Sequence, residues 1–475
     1  MTQTPGSASN ACDPRGTCER QRMDHRTATH SPGPTHGEVP SASLPKIAYG
    51  KGIRLFDVRG KDYIDGSGGP AVYCLGHAHP EVNDAIKQQL DRVAHGYRYN
   101  FTSDPLEELT ETVAEQCGPG FDRMIFTTGG SEAVESALKV ALHFHTANGE
   151  PSRRRFIARR RSWHGNTLGA LSVSEFKERR DPFEGALIPV SHISPANTYR
   201  PPPGVAPAQI AQHCAQELEE EILRLGARNV AAFIFEPVVG AAGGVVPAPD
   251  GYARMVRETC DRHGVLLIAD EVMCGAGRCG SWRALAHDQV QPDIMAVAKG
   301  LAGGYVPLGA TIYHDRLAAV LEERAGGPMT GHTFTAHTLA CAAGVAVQRI
   351  VARDRLVERV ARDGPRLMAQ LKERLSDVEA LGDVRGRGFF IGLEFVADRA
   401  SKTPFPSALG LHQRIRSRSL DNGLICYPMG GNVDGIAGDT VIIAPPYNAT
   451  PSELTEIADK LELSIRQALA ELPAT

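Results

Sequence analysis

Between residues 120 and 300, short apolar runs alternate with amphipathic helical stretches, and this alternation restricts the fold more than any other feature of the chain. The runs are Met124–Thr128, Arg155–Ala158, Val230–Phe235, Val265–Ala269 and Ile294–Val297. Between them lie SEAVESALKVALHFHTA, beginning at Ser131, and the stretches 208–225 and 251–263. Strands so nearly apolar throughout have no face to turn to water. A sheet made of them is mostly parallel and covered by helices on both sides. The predicted class is therefore α/β.

The flanking segments have a different texture. Residues 52–66 alternate apolar and polar around a Gly turn, as a hairpin does. Val82, Ala85, Ile86, Leu90 and Val93 recur at helical spacing, and 105–117 reads as another helix. Beyond 345 come a long Arg-rich helical segment to about 380, a strand pair (385–397 and 440–447) and a terminal helix at 451–470. The expected organisation is an N-terminal arm (1–37), a first part of a small domain (38–95), a large domain (96–344) and the rest of the small domain (345–475). The small α+β domain would thus be assembled from both ends of the chain.

Composition narrows the function classes. The 51 basic and 55 acidic residues nearly balance, without the basic footprint of a nucleic-acid binder. Ten cysteines are scattered with no CxxC pair, and Cys274 and Cys279 have no second Cys/His pair at ligand spacing, so no metal is expected and a reducing cytoplasm is. No apolar run reaches membrane length, and the first residues hold no apolar secretory core. Residues 1–37 are polar and rich in Pro, Gly and Ser, which predicts a disordered arm.

Three segments could carry chemistry. In VLLIADEV an apolar strand ends at Asp270 and Glu271, where open α/β sheets line their ligand crevice. The ordinary role of such an acid is to cap a loop. In IMAVAKGLAGG a strand ends at Lys299, followed by glycines that let a flat ligand approach the backbone. A solvated rim lysine would read the same way, but a partly dry pocket would lower this amine's proton affinity and favour attack on a carbonyl. In FTTGGSEA, Gly129, Gly130 and Ser131 join a strand to a helix start, a cradle for an anion, although Ser131 could simply be a helix cap. The spacing is neither that of a P-loop nor that of a dinucleotide fingerprint. With Trp163-His164-Gly165 on another strand end, these segments match the handles of pyridoxal 5'-phosphate: phosphate, ring nitrogen and aldehyde.

From about residue 45 to 470 the sequence resembles the class III aminotransferases, of the fold type I pyridoxal-phosphate group. The matches, in order, are GxxLxDxxGxxYxD from Gly52, LGHxHPxV from Leu75, GGSEAxExALK from Gly129, WHGNTLGALS from Trp163 and FEPVVG from Phe235. They continue with ADEVxxGxGRxG from Ala269, KGLAGGYxPLG from Lys299, GHTFTAH from Gly331, RGxGxxxGxE from Arg385 and APP from Ala444. The resemblance implies that Lys299 bonds to the cofactor aldehyde as a Schiff base and carries a proton between substrate Cα and cofactor C4′. It implies that Asp270 keeps the ring nitrogen protonated, that Trp163 stacks on one ring face and that Val272 packs on the other. Gly129, Gly130 and Ser131 would bind the phosphate, with Thr333 reaching across from the partner subunit of a homodimer. Glu236 and Tyr73 would lie on the substrate side, and His164 under the ring in a structural or catalytic role.

Two departures stand out. Ala336 and Thr338 occupy positions where the family commonly has Gly and Pro, a change expected to alter only the turn. More seriously, 425–447 contains no Arg or Lys, where many members carry an arginine for the substrate carboxylate. The GGNVDGIAGD segment from Gly430 is expected to shape the entrance. The expected activity is amino transfer from an amine or ω-amino acid to an oxo acid by a ping-pong route. An epimerase, an aminomutase or a decarboxylating transaminase would share the same lysine and acid, and a non-catalytic pyridoxal-phosphate binder would lack turnover.

Overall fold

Alternate residues of the strand Leu266–Asp270 meet different helices, as a strand covered on both faces requires. Leu266 and Ile268 share a core with Ala133, Val134 and Val140 of the helix Gly130–Ala147 (α1). Leu267 and Ala269 share another with Leu218, Ile222 and Val256, on the helices Ile210–Leu225 (α2) and Tyr252–His263 (α3). Each fully buried Val, Leu or Ile stabilises by roughly 1.5–3 kcal/mol, so both layers are held mainly by these side chains.

The structure is a computed structural model that describes residues 44–473. The predicted arm, 1–37, lies outside the described residues. Among those described, the central sheet has seven strands: β1 (Arg123–Thr127), β2 (Arg155–Arg159), β3 (Val190–Ile193), β4 (Val230–Phe235), β5 (Leu266–Asp270), β6 (Ile294–Val297) and β7 (Gly309–Tyr313). Their order is β1-β7-β6-β5-β4-β2-β3. From β3 to β6 all neighbours are parallel, with Ile268 opposite both Ile234 and Ile294. Strand β7 runs antiparallel to β6 and β1. Six strands therefore end along one edge, and β7 begins there.

The two ends of the chain meet in a second sheet. Strands Ile47–Lys51, Arg54–Asp57 and Asp62–Asp65 pair antiparallel, and the last pairs parallel with Leu424–Ile425. A third, antiparallel sheet joins Leu381–Arg387, Phe390–Phe395, Asp439–Ile443 and Tyr427–Gly430. The helices Leu356–Arg374, Leu411–Asp421 and Pro451–Ala470 close over them around Leu367, Leu371, Ile415, Leu461 and Ile465. The last helix opens with a capping box, in which Thr450 Oγ1 accepts from Glu453 N–H and the Glu453 carboxylate accepts from Thr450 N–H.

The long helical segment predicted at 345–380 is two helices, Thr338–Arg353 and Leu356–Arg374. Arg355 breaks them by adopting φ 50°, outside the helical region. The Thr338 departure does more than alter a turn: its hydroxyl accepts from Gly96 N–H at 3.0 Å, tying the 96 loop to the helix start. Ala336 sits at φ 52°, a backbone that glycine would adopt without strain.

Among the described residues the cysteines are free, and Cys74, Cys117, Cys214, Cys260, Cys274, Cys279 and Cys341 are buried. No described group of His, Cys, Asp and Glu could hold a metal ion. No described helix is long and apolar enough to cross a membrane.

Candidate active site

Because six strands end at one edge, the residues just past their carboxyl ends converge there. Gly129 follows β1, Trp163 and His164 follow β2, and Glu236 follows β4 directly. Asp270 ends β5, and Lys299 lies just beyond β6. All of them line one cavity of about 290 Å³, together with Gly130, Ser131 and Val272. That volume lies near the lower end of small-molecule sites, roughly 300 Å³.

The acid side is tightly organised. Asp270 is buried, and its Oδ1 accepts from Val272 N–H at 2.9 Å while its Oδ2 lies 2.7 Å from His164 Nδ1. With Asp270 ionised, the shared proton sits on His164 Nδ1. The His164 backbone N–H donates to Ser174 Oγ at 2.8 Å, which anchors the loop after Trp163, while the buried ring Nε2 has no partner. Glu236 accepts from Trp163 N–H at 3.0 Å and from Gly240 N–H at 2.8 Å, so β2 and β4 are clamped above the sheet. Burial raises the Glu236 carboxyl above its ordinary range; Asp270 adds to the rise and His164 opposes it. Glu271 faces away from the cavity: the N–H groups of Ala284 and Leu285 bind it, and burial pushes it up to about 7.

Lys299 adopts φ 43°, a left-handed backbone that costs a residue with a side chain roughly 1–3 kcal/mol. Such strain is held by its surroundings and is found at sites where a side chain must be aimed. Burial lowers its amine to about 8, against the opposing pull of Asp270 and Glu236. Among the described residues no hydrogen bond or ion pair holds its Nζ.

The anion side is built by exclusion of side chains. A Cβ on Gly130 would stand 2.7 Å from Val272 Cγ1, and one on Gly165 would stand 2.7 Å from Ser131 Oγ. Ser131 Oγ instead accepts from Asn166 N–H at 2.9 Å, so this hydroxyl holds the loop after Trp163. Helix α1 starts at Gly130 with no side-chain cap from Gly129. Its first N–H groups lack intrahelical partners and its positive end faces the cavity, which suits a phosphate. An uncapped helix start, a fixed carboxylate and an unpaired amine of lowered pKa fit the three handles of pyridoxal phosphate.

Some predicted residues stand elsewhere. Tyr73 is not on the cavity wall: Val72 is, and the Tyr73 ring packs behind Gly304, which lines the cavity. Gly68 and Gly69 adopt φ 60° and 56°, and a Cβ on Gly69 would stand 2.4 Å from the Tyr73 ring. Thr333 is exposed and outside the cavity of its own chain. The segment 431–438 is not on the wall either; it rests on Arg161 and Lys177, with Arg161 Nη1 donating to Gly431 O at 3.1 Å. The wall also includes Ala241, Met273 and Leu308, which carry no motif chemistry by which a sequence could single them out.

The family profile of the class III aminotransferases matches residues 39–465. An uncharacterized aminotransferase of Schizosaccharomyces pombe is 38% identical over 91% of this chain and 95% of its own length. A diaminobutyrate–2-oxoglutarate transaminase of Halomonas elongata is 34% identical over 94% and 95%. Among solved structures, an amine transaminase from an uncultivated Pseudomonas species, in its PLP-bound form, superposes with a TM-score of 0.86 at 34% identity, covering 93% of this chain and 100% of that one. Strand-end chemistry, fold and relatives agree: this chain belongs to the class III aminotransferases, the enzymes that transfer amino groups with pyridoxal 5'-phosphate.

Proposed function

We propose that the amino donor is an amine or an ω-amino acid, the acceptor an oxo acid, and the exchange a ping-pong cycle in the cavity beside Lys299. The observation that carries this reading is the unpaired Lys299 amine, lowered to about 8, in a cavity it shares with the Asp270–His164 pair. Pyridoxal phosphate, when bound, supplies an aldehyde that condenses with amines and a ring that takes up electrons released at Cα.

The chain's own residues then have distinct tasks. With the cofactor bound, Lys299 Nζ would be the group that takes the proton from substrate Cα and gives it back at cofactor C4′. Asp270, fixed by Val272 N–H and His164, would hold a proton on the ring nitrogen. Trp163 and Val272 would bracket the ring, and Gly129, Gly130 and Ser131 would bind the phosphate. Thr333, exposed in its own chain, reaches the phosphate of a second copy in a homodimer. Glu236 borders the substrate side. The free buried thiols suit a cytoplasmic setting.

Detection of one keto product per amino group transferred tests the reading. Interconversion of amino acids without a keto product would assign the chain to epimerase or aminomutase chemistry instead, and release of carbon dioxide to a decarboxylating transaminase.

Two further outcomes are expected. Gly130→Ala should weaken cofactor binding about tenfold, because the new methyl group must displace Val272 from the wall. Titration of apoprotein with pyridoxal phosphate measures this, and unchanged affinity would remove Gly130 from the phosphate cradle. Below about pH 8 the Lys299 amine is protonated and cannot attack an aldehyde. The rate of covalent cofactor uptake should therefore climb as pH rises toward about 8 and level off above it. A rate still climbing to the ordinary lysine value of 10.5 would contradict a lowered pKa.

A further inference from the structure

The cavity wall holds two acids, Asp270 and Glu236, and they are compensated differently. Asp270 Oδ2 has the His164 ring at 2.7 Å. Glu236 is 4% exposed, and among the described residues it forms no ion pair with a Lys, Arg or His. Its carboxylate accepts only from the main chain: Oε1 from Trp163 N–H at 3.0 Å and Oε2 from Gly240 N–H at 2.8 Å. Arg159 reaches the Glu236 backbone carbonyl, not its side chain. The segment 425–447, where many class III members carry an arginine, offers neither Arg nor Lys.

A carboxylate buried without a counter-charge is strongly disfavoured, and burial accordingly raises the Glu236 carboxyl above its ordinary range. Its charge acts on Lys299, so the two groups face a common space. The wall beside it is kept open: a Cβ on Gly240 would stand 3.3 Å from Glu236 Oε2 and 2.5 Å from Met273 Sδ. Two carboxylate oxygens can accept about four hydrogen bonds, and the two N–H groups leave room for more. An ammonium group brings three donors and the missing positive charge. The neighbouring wall of Val72, Ala241, Met273 and Leu308 is apolar and suits the methylene chain behind such a group.

Resting on the proposed amine-to-oxo-acid reading, we infer that Glu236 selects an amino donor that carries a second, protonated amino group, a diamine or a diamino acid. One amino group reacts beside Lys299 while the other stays as an ammonium against the Glu236 carboxylate. Any proton held by the carboxyl of the empty site leaves to solvent as the ammonium arrives. In the second half of the cycle a protonated Glu236 carries no charge that would repel an oxo acid.

The test uses holoenzyme and two donors of equal length, 1,4-diaminobutane and 1-aminopentane, which differ in ending on an ammonium or a methyl group. The rate at which each changes the cofactor spectrum gives a ratio of kcat/KM within one protein, so a general loss of turnover in a variant cancels. Wild type should favour the diamine about 10- to 100-fold, and E236Q should bring the ratio to about 1. In wild type alone the ratio should fall between about pH 8 and pH 5, because a protonated carboxyl cannot pair with an ammonium while the reacting amines titrate alike. This second measurement decides the matter if E236Q does not fold. A wild-type ratio near 1, a ratio kept in E236Q, or a ratio that ignores pH overturns the inference and leaves the transaminase reading standing. If wild-type holoenzyme responds to neither donor nor to any other amine or amino acid, the underlying reading fails and this inference with it.

Discussion

Lys299→Ala should lower amino transfer by about 10⁴-fold or more, a loss expected when one group serves as both nucleophile and proton carrier. No neighbour can take over. The cavity's other titratable side chains are Glu236, Asp270 and His164, and His164 is committed to Asp270 through Nδ1. The strained φ of 43° indicates that the backbone is shaped to aim this one side chain. Alanine keeps the Cβ and with it the backbone strain, while the cost of a buried amine is removed, so the variant should be about as stable as wild type. Single-turnover amination of pyruvate and a thermal melt check both parts. A melting temperature well below wild type, with activity lost in proportion, would make Lys299 a structural residue.

Asp270→Asn should lower amino transfer roughly 10³-fold while leaving the fold intact. The substitution keeps size and shape, and the amide oxygen can still accept from Val272 N–H. What it removes is the negative charge that holds a proton on the cofactor ring nitrogen and orients His164. Cofactor content should change little, since the phosphate cradle and Lys299 are untouched. The diagnostic readout is the rate of Cα proton exchange in deuterated water, which should fall with turnover. If exchange stays at the wild-type rate, Asp270 is a strand-end cap and the acid role falls.

The fold was legible wherever burial on both faces left a plain apolar signature. Val230–Phe235 and Ile294–Val297 form strands with the predicted limits, and Pro451–Ala470 forms the predicted terminal helix. Strand β7 escaped prediction because Gly309 and Ala310 dilute its apolar run and its antiparallel pairing needs no crossover helix. Strand β3, in VSHI, is too short and polar to stand out. The site was legible to the extent that its chemistry sits at strand ends. Lys299, Asp270, Glu236 and the Gly129–Ser131 turn come together because parallel strands present their carboxyl ends along one edge. Val72 lines the cavity and the Tyr73 ring packs against Gly69 and Gly304, a placement set by tertiary packing. Met273, Ala241 and Leu308 reach the wall only through tertiary packing.

The central claim is that one lysine among the chain's ten carries the cofactor. Holoprotein reduced with borohydride, digested and mapped by mass spectrometry tests it directly, because reduction fixes the cofactor to whichever amine holds it. The account predicts a phosphopyridoxyl group on the peptide containing Lys299 and on no other. The same group on another lysine, or on none, would contradict it.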